Sequence, residues 1–140
     1  MKSYLLDTHI FLWAYSKPEK LDKEIIRIIE NPTTIKYISA ISLIEIAQLS
    51  ESKPKELNIK IPLATYLNEA LACLGVQVLG ISSEHARRFY EIQPMKNHKD
   101  PIDRTIISQA ASTGFTVLSD DENFPFYPIK VISNKKRGNT

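Results

Sequence analysis

Apolar positions along the chain switch between two spacings, and the switches mark its elements. Tyr4, Leu5 and Leu6 form a short continuous run, followed by a segment carrying Ile10, Phe11, Trp13 and Ala14. LDKEIIRIIEN then repeats apolar residues at Leu21, Ile25, Ile28 and Ile29, the spacing of one helix face. TIKYISAI is rich in β-branched and aromatic residues and reads as a strand. It runs into SLIEIAQLS, a helix expected to turn Leu43, Ile44, Ala47 and Leu49 inward. The polar stretch SESKPKELNIK reads as a loop or exposed turn. Pro62 opens a further helix with Leu63, Tyr66, Leu67, Ala70, Leu71 and Leu74 on one side, and Gly75 ends it.

In the second half, VQVLGI is strand-like and SSEHARRFYEI helix-like, with Ala86, Phe89 and Tyr90 as its apolar positions. KDPIDRTIISQAA carries Ile102, Ile106 and Ala110 at i, i+4 and i+8 behind an Asp-Pro start. FTVLS and PIKVIS are the last two strands. Strands that alternate with helices need crossovers, and helical crossovers make neighbouring strands parallel. The expectation is an α/β chain, three-layer α/β/α, around a mostly parallel five-stranded sheet.

Composition narrows the class without naming a partner. At 140 residues the chain is large enough to bury a core without staples. The single Cys73 excludes an internal disulfide and a cysteine zinc cluster, and its helical apolar setting predicts a small buried hydrophobe. MKSYLLDTHIFLWAY is apolar enough for a signal peptide, but Asp7 and His9 interrupt it and no small-residue cleavage pattern follows. No apolar run is long enough to cross a bilayer, so a soluble, cytoplasmic protein is expected, without membrane contact. Net charge is +2, and Lys135, Lys136 and Arg137 alone supply three positive charges. The body is therefore near neutral. Residues 134–140 read as a disordered basic tail, suited equally to RNA phosphates or to solubility.

The chemistry lies in the acids. Sites in open α/β sheets form at the carboxyl ends of strands. Asp7 follows YLL directly, Glu45 lies one turn into the helix after TIKYISA, Asp103 begins the helix before FTVLS, and Asp120 and Asp121 follow VLS. Each has a local role available. Asp7 and Asp100 are suitable helix caps, Ser42 to Glu45 matches a capping box, and Asp120 to Asn123 suits a solvated turn. Together the local roles weaken, because carboxylates crowded at one rim repel one another. A divalent Mg²⁺ or Mn²⁺ resolves that conflict, since hard cations take oxygen ligands.

LLDTHIFLW, SLIEIAQL, DPIDRTIISQA and VLSDDENF, in this order, resemble the motifs of PIN-domain ribonucleases, and among them the VapC-type toxins of bacterial toxin–antitoxin pairs. The resemblance implies a PIN-like nuclease domain over residues 1–133. By motif position the family's four acids fall on Asp7, Glu45, Asp103 and Asp121, the last because it stands two places after Ser119. It implies cleavage of RNA phosphodiesters with Mg²⁺ or Mn²⁺ as cofactor. Asp7 and Asp103 become the principal metal ligands, Glu45 a ligand directly or through water, and Asp121 the completion of the cluster. It also implies a cognate antitoxin and a homodimer. Asp100 returns to the role of helix cap.

Other classes fit less well. A catalytically inactive PIN-like module binding RNA or protein would not need all the acids. A haloacid-dehalogenase-like phosphatase requires a second Asp where His9 stands, and a receiver domain requires an acid that VQVLGISS lacks. His9, His85 and His98 show no ligand spacing; His85 reads as a surface or packing residue, and His9, close behind Asp7, as structural rather than part of the site. Lys99 and Arg104 flank the acidic rim, where they could meet RNA phosphates or, for Arg104, a carboxylate. Trp13 suits a core or an interface.

Overall fold

A computed structural model describes residues 2–135. Its elements are β1 (Ser3–Leu6), α1 (Thr8–Ser16), α2 (Lys23–Glu30), β2 (Ile35–Ser39), α3 (Ala40–Ser52), α4 (Pro54–Leu57), α5 (Leu63–Leu74), β3 (Val76–Leu79), α6 (Ser83–Glu91), α7 (Pro101–Thr113), β4 (Thr116–Ser119) and β5 (Val131–Ser133). The strands lie in the order β3-β2-β1-β4-β5, and every pairing is parallel. The strand order reverses between β1 and β4, so a crevice opens at their carboxyl ends.

Alternation along the strands builds a core on each face. Tyr4, Leu6, Ile38 and Leu118 point to one side and pack with Ile10, Phe11, Ile25, Ile46 and Ala70 of the first four long helices. Leu5 and Val117 point to the other and pack with Ile106, Ile107 and Ala110 of α7. This is the three-layer α/β/α arrangement that the sequence leads one to expect. Gly75 (φ 64°) and Gly114 (φ 77°) end α5 and α7 in the left-handed conformation that a side chain would disfavour.

Several local expectations are corrected. Ile44 is half exposed while Ile46 is fully buried, so α3 is rotated relative to the expected face. Cys73 is exposed, because α5 buries Ala70 and half-buries Leu67, Leu71 and Leu74 on the opposite side. On α6, His85 is buried and Tyr90 stands in solvent. The polar stretch after α3 contains the short helix α4. Asn134 begins the expected tail, yet it is buried. Its side chain accepts the Asp22 N–H at 2.9 Å and donates to the Lys20 carbonyl at 3.0 Å. The remainder of the expected tail, from Lys136 onward, lies outside the described residues.

Candidate active site

β1 ends at Leu6, and the next residue turns into α1. Asp7 caps that helix, its Oδ1 accepting the Ile10 N–H at 3.0 Å. Its Oδ2 accepts the Asp120 N–H at 3.0 Å, which ties the end of β1 to the end of β4. The cap that the sequence offers as an alternative to a functional role is therefore real, and the same carboxylate also faces the crevice. On β4, the Ser119 hydroxyl accepts the Asp121 N–H at 2.9 Å, and Asp121 Oδ1 accepts the Asn123 N–H at 2.7 Å. The turn thus has the local hydrogen bonds of a polar turn and also carries Asp121 to the crevice.

Asp103 comes from α7. Asp100 is the N-cap, accepting from the N–H groups of Ile102 and Asp103, and Pro101 occupies the first helical position. Helix initiation is therefore carried by Asp100 and Pro101, which leaves Asp103 to be explained otherwise. Asp7, Thr8, His9, Glu45, Asp100, Asp103, Asp120 and Asp121 together line a cleft of about 230 Å³. All four acids named from the sequence reach one place. Glu45 does so from the second turn of α3, at the wall between this cleft and a neighbouring groove.

The capping box expected at Ser42 to Glu45 does not form. Ser39 is the N-cap of α3, its hydroxyl accepting the Ile41 N–H at 3.1 Å. Ser42 lies inside the helix, fully buried, and its oxygen accepts from Thr8 Oγ1 at 2.9 Å. The strand-to-helix change occurs three residues earlier than the capping pattern indicates, so Glu45 has no cap to serve.

Electrostatics mark the cleft as unsettled. Burial pushes the Asp103 carboxyl up to about 8, and the charges of Asp100, Asp121 and Asp7 press in the same direction. Burial also raises Asp7, opposed by the N–H groups of Ile10 and Asp120 and the Ser119 hydroxyl. Among the described residues, the arginine ion pairs all lie on α6, in Arg87 and Arg88 with Glu84 and Glu91. Arg104, expected near the rim, is drawn away. Its guanidinium lies 4.3 Å from the centre of the Phe89 ring and donates to the Phe89 carbonyl. Lys99 is exposed. Among the described residues, no lysine or arginine lines the cleft, and such a set of carboxylate oxygens suits a hard divalent cation.

The sequence reading missed His98. Its Nε2 lies 3.1 Å from Asp103 Oδ2 and 3.9 Å from Asp121 Oδ2. The three side chains form a group whose ligand-type atoms fall within 4.8 Å of one another. Linear spacing hid it, because the contact with Asp121 crosses from the loop before α7 to the turn after β4. The available signal was its place two residues before the Asp100 cap.

An all-parallel sheet in this order, with acids gathered at its switch point, defines a PIN-type α/β domain. The chain belongs to the PIN domain family, whose profile matches residues 4–129. It is similar to ribonuclease VapC22 of Mycobacterium tuberculosis, 27% identical over 121 residues that cover 86% of this chain and 88% of that protein. Among solved structures it resembles the Rickettsia felis VapBC2 complex bound to a promoter DNA fragment (TM-score 0.71, 20% identity, 94% of this chain and 98% of that one). It also resembles VapC20 of M. tuberculosis, a toxin that cleaves the sarcin–ricin loop (TM-score 0.58, 14% identity, 88% of this chain and 93% of that one). At these identities the solved structures establish a shared fold.

Proposed function

We propose that this protein is a divalent-metal-dependent endoribonuclease and the toxin of a toxin–antitoxin pair. The observation that carries the reading is the meeting of Asp7, Glu45, Asp103 and Asp121, from four separate segments, in one cleft at the strand switch point. The ribonuclease and toxin names of the relatives support the same reading.

Asp7 and Asp103 would hold the cation, Mg²⁺ or Mn²⁺, with Asp121 completing the carboxylate set. When bound, such an ion neutralises charge on the transferring phosphoryl oxygens and makes a bound water acidic. Glu45, which lines the same cleft, would orient the attacking water and take its proton. The hydrogen bonds from Ile10 and Asp120 hold Asp7 in one orientation, so no reorganisation is needed when substrate arrives.

Beside the cleft, a groove of about 450 Å³ is lined by Trp13, Leu49, Leu57 and Tyr66 together with Lys17, Lys20 and Lys53. Its lysines suit RNA phosphates and its apolar side chains suit an antitoxin segment, so an antitoxin seated there would exclude RNA. Exposed Ile61, Val78 and Ile81 would be covered by a second copy in a homodimer. No helix of the described residues is long and apolar enough to cross a membrane.

The test is cleavage of single-stranded or loop RNA by purified protein with Mg²⁺ or Mn²⁺, beside an Asp7→Asn control. Unpaired bases are the accessible ones, since the A-form major groove excludes side chains. Cleavage that stops with EDTA and is absent in the control is expected. Cleavage undiminished in EDTA, or equal in the control, refutes the carboxylate–metal reading.

A further inference from the structure

The cleft's acids account for the proposed chemistry, and none of it uses His98. Yet His98 is 8% exposed and makes its hydrogen bonds in two directions. Its Nε2 faces Asp103 Oδ2 at 3.1 Å, and its Nδ1 lies 3.0 Å from the hydroxyl oxygen of Tyr127. Tyr127 is 4% exposed, and that oxygen already accepts the Met95 N–H at 3.1 Å. The imidazole is packed between aromatic rings, edge-on to Tyr127 and tilted against Phe124.

Donors and acceptors determine the tautomer. The Tyr127 oxygen accepts the Met95 N–H and has a proton of its own to donate, for which Nδ1 is the acceptor. The imidazole proton then resides on Nε2 and is donated to Asp103. With Asp103 ionised, as cation binding requires, the opposite tautomer would set a bare nitrogen against a carboxylate oxygen, two acceptors face to face. The bonds therefore run in one sense, from Met95 through Tyr127 and His98 to Asp103.

Once ionised, Asp103 is pushed toward solvent by the carboxylates of Asp7, Asp100 and Asp121 that line the same cleft. A buried donor opposes it. We propose that His98, braced by Tyr127, is the positioning residue that holds the Asp103 carboxylate at the cleft wall. Tyr127 follows the 3-10 turn Phe124–Phe126, itself just beyond Asp121, while His98 precedes α7. The brace thus also sets the spacing between Asp103 and Asp121, the two acids contributed by these segments.

The inference rests on the metal-site reading, and Mn²⁺ binding to the full chain, followed by calorimetry and by loss of the free-ion electron spin resonance signal, separates the two. Wild type is expected to bind Mn²⁺, and His98→Leu to bind it ~10–100-fold more weakly. His98→Gln places an amide N–H near the position of Nε2 and should recover most of that loss, which mere filling of space would not do. Tyr127→Phe keeps the ring, removes only the brace, and should weaken binding several-fold; it decides the matter alone if His98→Leu fails to melt cooperatively. Failure of wild type to bind Mn²⁺ overturns the metal reading and this inference with it. Normal wild-type binding with an undiminished His98→Leu or Tyr127→Phe, or with Gln and Leu equally impaired at position 98, overturns the inference alone.

Discussion

Asp100 accepts the backbone N–H of Asp103 on the same oxygen, Oδ1, that accepts the N–H of Ile102. Of two acids three residues apart, one therefore builds the helix start and the other is presented by it. Asn caps about as well as Asp, so Asp100→Asn should keep stability within a few tenths of a kcal/mol and retain cleavage, whereas Asp100→Ala should cost about 1 kcal/mol. Asp103→Asn should leave the metal-free protein at least as stable at neutral pH, because a neutral amide needs neither the proton that the buried carboxyl keeps there nor a charge among like charges. It should abolish cleavage and most of the melting-temperature gain on adding Mn²⁺. Thermal melts with and without metal, beside an RNA cleavage assay, check both variants. An Asp103→Asn protein that still cuts RNA and merely melts earlier would place the site elsewhere.

Glu45 is half-buried on the cleft wall, and Ser39 rather than Ser42 caps its helix. Gln at position 45 therefore removes a charge without disturbing a cap. Stability should stay within about 0.5 kcal/mol of wild type. Turnover should fall by at least ~10²-fold, the usual worth of a positioned general base. Urea melts and single-turnover cleavage measure the two quantities. Near-wild-type turnover would remove Glu45 from the proposed chemistry.

What was legible in the sequence follows from what acts locally. The parallel sheet could be read because each strand and each crossover helix carries its own period, and Asp100-Pro101 and Gly75 are terminators whose geometry is set by one or two residues. The convergence of Asp7, Glu45, Asp103 and Asp121 could be foreseen because strand ends in such a sheet share a rim. The rest depended on packing. Ser39 and Ser42 are equally good caps on paper, and the register of β2 against β1 decides between them. Cys73 and Ile44 were misplaced by one step around a helix, which periodicity read over three turns does not resolve. His98 and Arg104 owe their settings to partners on other segments, Tyr127 for one and Phe89 for the other.

Asn134 shows how a residue outside the apolar pattern can still hold the fold. Its side chain bonds the Asp22 N–H, the Lys20 carbonyl and, at 3.1 Å, Asp120 Oδ1, while its own N–H donates to the Ser119 carbonyl at 2.7 Å. Asn134→Ala keeps the backbone bond but strips partners from a part-buried N–H and a part-buried carbonyl. A loss of about 2–3 kcal/mol is expected, since each abandoned group costs roughly 1–3 kcal/mol. Urea denaturation gives the value. A loss below ~0.5 kcal/mol would mean that water replaces the side chain without penalty.

Acid titration gives the sharpest contrast between the protein with and without metal. The Asp103 carboxyl is held at about 8 in the fold against an ordinary value of 3.8, and Asp7 is shifted in the same direction. Between those values the folded chain keeps a proton that the unfolded chain has released. Stability in EDTA is then fullest below the ordinary carboxylate range and declines as pH rises toward about 8, beyond which the contribution is gone. A divalent cation needs the ionised carboxylates and competes with that proton, so its affinity rises over the same window. Melting temperature in EDTA should therefore fall from about pH 5 to about pH 8, while the gain on adding Mn²⁺ should grow. Asp103→Asn should flatten both trends, because the group that titrates and binds is gone. If wild type in EDTA instead becomes more stable across that range, or if its Mn²⁺ gain is the same at both ends, the carboxylates are not competing for a proton and a cation, and the electrostatic account of the cleft fails.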